Sequence, residues 1–181
     1  MKERSKDMGI IMSITGNGKG KTTAALGCCV RALGHDKKVA VIQFIKHDVE
    51  NYGEYKCLSK LGCTWRSFGE GFTWKQETLG PTKEKCNNGW NFFKECIESG
   101  EYDLIVLDEL TYTFQYDLLD EDEVLTYLKE KKKDPNFPMI VITGRGASDE
   151  LIDASDTVSR IENVKHHYRT LGQSASEMIE Y

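Results

Sequence analysis

A chain of 181 residues, 39% hydrophobic and 29% charged, is the size of one globular domain that buries its core without staples, and it is too apolar to be disordered. The 24 Lys and Arg against 29 Asp and Glu leave a formal net charge of -5; this argues against non-specific nucleic-acid binding, which needs a basic face, but leaves room for a small anionic ligand. No apolar run approaches the roughly 20 residues of a membrane-spanning helix, and the start Met1-Lys2-Glu3-Arg4-Ser5-Lys6-Asp7 is too charged for a secretory signal, so a cytoplasmic protein without membrane attachment is expected.

Residues 1–8 read as a charged N-terminal segment and residues 9–181 as one domain. The apolar run at 10–14 predicts a first strand, broken by Gly16-Asn17-Gly18-Lys19-Gly20. A helical pattern follows over 21–33, with Gly34 as its stop. Val39-Ala40-Val41-Ile42 with Phe44-Ile45, Leu104-Ile105-Val106-Leu107 and Met139-Ile140-Val141-Ile142 predict three more strands. Apolar runs this continuous suit parallel strands covered on both faces. Helices are expected at about 81–98, where Pro81 suits a first turn, at about 121–131 and at about 148–154. The charge run from Lys129 to Asp134 reads as a solvated helix end. Strand and helix in alternation predict a single-domain α/β fold, an open and mostly parallel sheet with helices on both faces. Ligands of such sheets sit at the carboxyl ends of the strands. Trp65 and Trp90 lie in no motif and read as core. The six cysteines include no C-x-x-C pair and read as reduced, mostly buried thiols.

Thr15-Gly16-Asn17-Gly18-Lys19-Gly20-Lys21-Thr22 follows a strand and opens a helix, the context in which a Walker A match carries weight. Its glycines let consecutive amide N–H groups face one centre. The helix N-terminus adds partial positive charge there, and Lys21 adds a full one. Thr22 offers a hydroxyl to a magnesium ion bridging phosphates. Thr15 stands where the strict pattern has its first glycine, and Gly16 and Gly18 are expected to supply the missing freedom.

Four apolar residues followed by Asp108-Glu109 form a Walker B pattern, whose carboxylates can hold the metal directly or through its water. Either acid can be the main metal contact. Arg145, flanked by Gly144 and Gly146 after a strand, is placed to reach the nucleotide. Gln43 and Lys46 follow the second strand and are candidates for the same cleft. His166 and His167 look like a metal pair, yet neighbours on a strand point to opposite faces; Lys165 and His166 stay candidates for the pocket only. The residues to this point fit an enzyme acting at the γ-phosphate (a P-loop kinase or ATPase, with Glu109 positioning water or an acceptor) or a non-catalytic nucleotide-regulated module.

The chain resembles the P-loop ATP:corrinoid adenosyltransferases. The matching segments begin with Thr15 to Ala25 and Val41-Ile42-Gln43-Phe44-Ile45-Lys46, and continue with Gly71-Phe72-Thr73-Trp74 and Val106-Leu107-Asp108-Glu109-Leu110-Thr111-Tyr112. Ile142-Thr143-Gly144-Arg145-Gly146, Asp156-Thr157-Val158-Ser159 and Val164-Lys165-His166 complete them, in the family's order. Asn163 and Lys75 depart from it, standing where many members have a proline and an acid. The resemblance implies a RecA-like P-loop fold and transfer of the 5′-deoxyadenosyl group of ATP to the Co(I) centre of a reduced corrinoid. Triphosphate is released and adenosylcobalamin formed, making the chain a transferase. Gly16, Asn17, Gly18, Lys19, Gly20, Lys21, Thr22, Thr23 and Arg145 are then nucleotide contacts, and Thr22 and Glu109 hold magnesium. Lys21, Glu109, Phe72 and Trp74 are the catalytic candidates, the two aromatics forming a wall against the lower face of the corrinoid. The implied partners are an electron-donating reductase and a second copy of the chain in a homodimer.

Overall fold

In the computed structural model, successive residues of the apolar strand Leu104–Asp108 serve opposite core layers. Leu104 and Val106 join one buried cluster, whereas Ile105 and Leu107 join the other. A strand buried on both faces needs apolar residues at every position, which is why these runs do not alternate. The structure describes residues 9–47, 49–69, 79–174, 176 and 178–179. The charged segment expected at 1–8 lies outside them.

Among the described residues six strands form one sheet in which every pairing is parallel. They are β1 (Ile11–Thr15), β2 (Val39–Phe44), β3 (Thr64–Phe68), β4 (Leu104–Asp108), β5 (Met139–Thr143) and β6 (Thr157–Arg160), in the order β3-β2-β4-β5-β1-β6. One face is covered by α1 (Lys21–Leu33) and α2 (Gly53–Lys60), which bury Ala25, Leu26, Cys29 and Leu58. The other carries α3 (Leu79–Ser99), α4 (Leu110–Gln115), α5 (Glu121–Lys131) and α6 (Asp149–Ala154), which bury Trp90, Phe93, Leu110, Leu125, Leu128 and Leu151. A short α7 (His167–Leu171) follows β6. The open α/β sheet with helices on both faces is thus as expected. Among the described residues no helix is long and apolar enough to cross a membrane.

The details diverge where side chains are polar. Neither edge strand, β3 nor β6, was expected: β3 is at most half-buried and all four residues of β6 are exposed, so neither carries an apolar run. The helices α2, α4 and α7 are also additions. Ser148 is the N-cap of α6 and not its first residue, its Oγ accepting from Leu151 N at 3.0 Å. Trp90 is core, stacked on Phe93 with ring centroids 4.9 Å apart. Trp65 is only half-buried, edge-on to Tyr55 at 5.7 Å. Four of the six thiols are buried, and all six are free.

Asp156 ties the start of β6 to β1. Its Oδ2 accepts from Ile11 N at 2.9 Å, and its Oδ1 pairs with Lys132. Lys132 and the Ile11 amide hold its carboxyl below the ordinary value. A depressed folded pKa means that this stabilisation is complete above the unfolded value of about 3.9 and is lost as pH falls through the folded one. Asp156→Ala should therefore lower the unfolding free energy by about 1 kcal/mol at neutral pH. Urea denaturation should show that deficit at pH 7 and a smaller one at pH 3; equal deficits would contradict it.

Candidate nucleotide site

The phosphate loop occupies the turn from β1 to α1, at the carboxyl edge of the sheet. Gly16 and Gly20 adopt φ of 99° and 107°, open to glycine at little strain. Gly16 is doubly required: a Cβ there would lie 2.4 Å from Ile161 O. Gly18 N donates to the same carbonyl at 2.8 Å, so the loop is fastened to the segment after β6. Thr15, in place of the usual glycine, completes β1 and its Oγ1 accepts from Ala147 N at 3.2 Å. The freedom resides one residue later, at Gly16.

Lys21 is buried at the first position of α1, and its Nζ donates to Gly18 O at 2.7 Å. An ammonium has three donors, so two remain for an anion. Burial, then the nearby Arg145 charge, lowers its pKa from the ordinary lysine value. Such a cation gains strongly from a bound phosphate. Asn17 and Lys19 are exposed on the loop, and Thr23 is exposed on α1.

The neighbouring acid site is assembled by strand register. Ser67, Gln43 and Asp108 are paired across β3, β2 and β4, and Thr143 ends β5 on the other side of β4. Their side chains form one chain of hydrogen bonds. Ser67 Oγ donates to Gln43 Oε1 at 3.2 Å, Gln43 Nε2 to Asp108 Oδ2 at 2.8 Å, and Thr143 Oγ1 to Asp108 Oδ1 at 2.6 Å. Thr22 Oγ1 joins from α1, donating to Asp108 Oδ1 at 2.8 Å, and Lys46 Nζ donates to Oδ2 at 3.3 Å. Asp108 is fully buried. Burial alone would raise its pKa, but Lys46 and the three neutral donors prevail and hold it below the ordinary value. Burial likewise works against the Lys46 ammonium, and the charges of Asp108 and Glu109 keep its pKa raised.

Glu109 behaves differently. It turns the chain from β4 into α4 with φ of 60°, an uncommon conformation for a side-chain-bearing residue that clusters at functional sites. Its N–H is anchored on Thr143 Oγ1 at 3.0 Å. Its Oε1 lies 3.9 Å from Lys46 Nζ, while the buried Oε2 has no hydrogen-bond partner among the described residues. Burial first, and the Asp108 charge second, push its pKa up.

Thr22, Gln43, Lys46 and Asp108 are thus brought together, with Glu109 alongside. Arg145 is exposed beside the loop; its backbone carbonyl accepts from Thr111 Oγ1 at 2.7 Å, and a Cβ on Gly144 would lie 2.0 Å from that hydroxyl oxygen. His166 Nδ1 accepts from Tyr168 N at 3.2 Å, and the rings of His166 and His167 lie 4.6 Å apart at the start of α7, not on opposite faces of a strand. Lys165 is exposed, and neither it nor His166 lines the cleft beside the loop. Phe72 and Trp74 lie outside the described residues. Thr143 and Ser67 were not anticipated: Thr143 had a signal, a hydroxyl closing an apolar run, whereas Ser67 had none without β3.

A strand, glycine-rich loop and helix facing a buried acid at the end of a neighbouring parallel strand define a P-loop nucleotide-binding α/β protein. The family model for ATP:corrinoid adenosyltransferases (BtuR/CobO/CobP) matches residues 7–181, and the chain belongs to that family. The corrinoid adenosyltransferase of Escherichia coli K12 is 40% identical over 175 residues, covering 97% of this chain and 87% of that protein. That of Salmonella typhimurium, named CobA, is 39% identical over 179 residues, covering 99% and 89%. A Sinorhizobium corrinoid adenosyltransferase is 35% identical over 184 residues, covering 100% and 84%. The chain is accordingly a transferase that moves an adenosyl group from ATP to a corrinoid, and the γ-phosphate reading is not favoured.

Proposed function

We propose that the chain transfers the 5′-deoxyadenosyl group of ATP to Co(I) of a reduced corrinoid, with intact triphosphate as the leaving group. The observation that carries this reading is the buried Lys21 ammonium, held by Gly18 O with donor capacity to spare, at the end of the glycine-rich loop that opens α1. Cobalt(I) attacks C5′; the C5′–O bond breaks and its electron pair leaves on the triphosphate oxygen. Cobalt supplies both electrons of the new bond and carries no proton, so no general base is required. Lys21 and the loop amides other than that of Gly18, which donates to Ile161 O, stabilise the negative charge that develops on the leaving group. Asp108 orients the Thr22 hydroxyl, and Gln43 and Thr143 orient Asp108. The Thr22 hydroxyl, Asp108 and the unpartnered Glu109 Oε2 are a hard-oxygen set suited to magnesium. When bound there the ion would offset triphosphate charge. Arg145, Lys19, Asn17 and Thr23 complete the nucleotide contacts in this reading.

Phe72 and Trp74 are proposed to press on the lower face of the corrinoid. Excluding water and the lower axial ligand leaves four-coordinate Co(II), which accepts an electron more easily. Phe72→Ala and Trp74→Ala should keep ATP affinity and lose transfer from Co(II), and lose less when Co(I) is supplied chemically. Equal losses from both oxidation states, or a collapse in thermal stability, would contradict this. A reductase supplies the electron, and the active form is a cytoplasmic homodimer. The reading as a whole is tested by adding ATP and magnesium to the protein with chemically reduced cobalamin. The absorbance of the alkylated corrinoid should appear only when protein and ATP are both present; its absence would overturn the assignment.

A further inference from the structure

A second feature of the loop lies on the side away from Asp108. The register that pairs Thr15 with Arg160 sets an arginine beside the residue that precedes Gly16. Contact is close: a Cβ on Gly16 would lie 3.1 Å from Arg160 Cγ. The following residues are fastened along the loop, Ile161 N donating to Thr15 O and Gly18 N to Ile161 O, each at 2.8 Å. Here a cleft of about 560 Å³ opens, lined by Gly16 and Asn17 of the loop, by Arg145 after β5, by Arg160 at the end of β6 and by Arg169 of α7. Among the described residues that line it, Glu162 is the one carboxylate, against three guanidinium groups. None of those three groups is hydrogen-bonded or ion-paired among the described residues. In a chain of net charge -5, three arginines at one cleft are a local reversal of sign. Guanidinium forks match phosphate oxygens in pairs.

We propose that Arg160 and Arg169, with Arg145, form a polyphosphate subsite that continues the phosphate loop and takes a phosphate group beyond those held by the loop amides and Lys21. The inference rests on the transfer reading for the identity of the polyphosphate, and it makes this cleft the element that selects a triphosphate over a diphosphate. Arg160 and Arg169 are exposed, so replacing them leaves the core intact.

The test is calorimetric titration of the full chain with inorganic triphosphate and, separately, with pyrophosphate. Arg160→Gln with Arg169→Gln should weaken triphosphate binding by about tenfold or more and pyrophosphate binding by about twofold or less. Lys21→Ala should weaken both. Thermal melting of the double variant should match the parent protein. Unchanged triphosphate affinity, or equal loss for the two anions, overturns the proposal. So does a loss seen only in a separate titration, for a phosphate-bearing corrinoid relative to a phosphate-free one and not for triphosphate, which would give the cleft to the corrinoid. Because the anion titrations contain neither ATP nor corrinoid, they are independent of turnover: formation of ADP from ATP in a turnover assay would overturn the transfer reading and leave the binding result standing.

Discussion

Lys21→Ala is expected to reduce kcat/KM for ATP by roughly thirty- to a thousandfold, equivalent to about 2–4 kcal/mol of lost leaving-group stabilisation. The argument rests on burial. The ammonium is withdrawn from water and, among the described residues, has one hydrogen-bond partner, Gly18 O; its pKa is lowered chiefly by desolvation. Without an anion this cation is unfavourable, so its removal should leave the melting temperature equal to or above that of the parent. Loss of transfer with retained or raised stability separates a functional lysine from a structural one. A variant that turns over normally, or that melts far below the parent, would contradict the role given to the loop.

Asp108→Asn should act on stability as well as activity. Asp108 accepts from Thr22, Gln43, Thr143 and Lys46. An asparagine offers one acceptor oxygen and turns a donor toward groups that are themselves donors. Breaking a buried charge pair while leaving one partner behind lowers stability by about 3–5 kcal/mol. Its folded pKa is depressed, so the contribution is present above the unfolded value of about 3.9 and is lost as pH falls through the folded value. Lys46→Met in the Asp108→Asn background should restore part of the loss, because the stranded ammonium is removed with its partner. Denaturant unfolding of the four proteins in this cycle measures the coupling; strictly additive effects would show that the Lys46–Asp108 contact is not what stabilises the site. Transfer should fall in every variant lacking the Asp108 carboxylate, since Thr22 loses the charged acceptor that orients its hydroxyl.

The parts of this molecule that could be read from residue order are those whose chemistry is local. The central strands β1, β2, β4 and β5 are apolar at consecutive positions because both faces are covered, and the phosphate loop carries its glycines, Lys21 and Thr22 within eight residues. The edge strands were hidden because each has one neighbour and breaks its apolar residues with polar ones, so that no apolar run forms: Thr157 to Arg160 are all exposed. Helix α4 was hidden because it starts from Glu109, whose left-handed conformation no spacing announces. The acid site depends on register. Asp108 and Glu109 were evident as a pair, but Ser67, Gln43 and Thr143 come from three other strands and meet only when those strands are aligned. Arg160 and Arg169 escaped for the same reason, being more than a hundred residues from the loop they face.

The most direct test of triphosphate departure is phosphorus NMR of the products of one turnover with ATP and chemically reduced corrinoid. One uncleaved triphosphate should appear for each adenosylated corrinoid, with no ADP. ADP with orthophosphate, or pyrophosphate in place of triphosphate, would contradict the account.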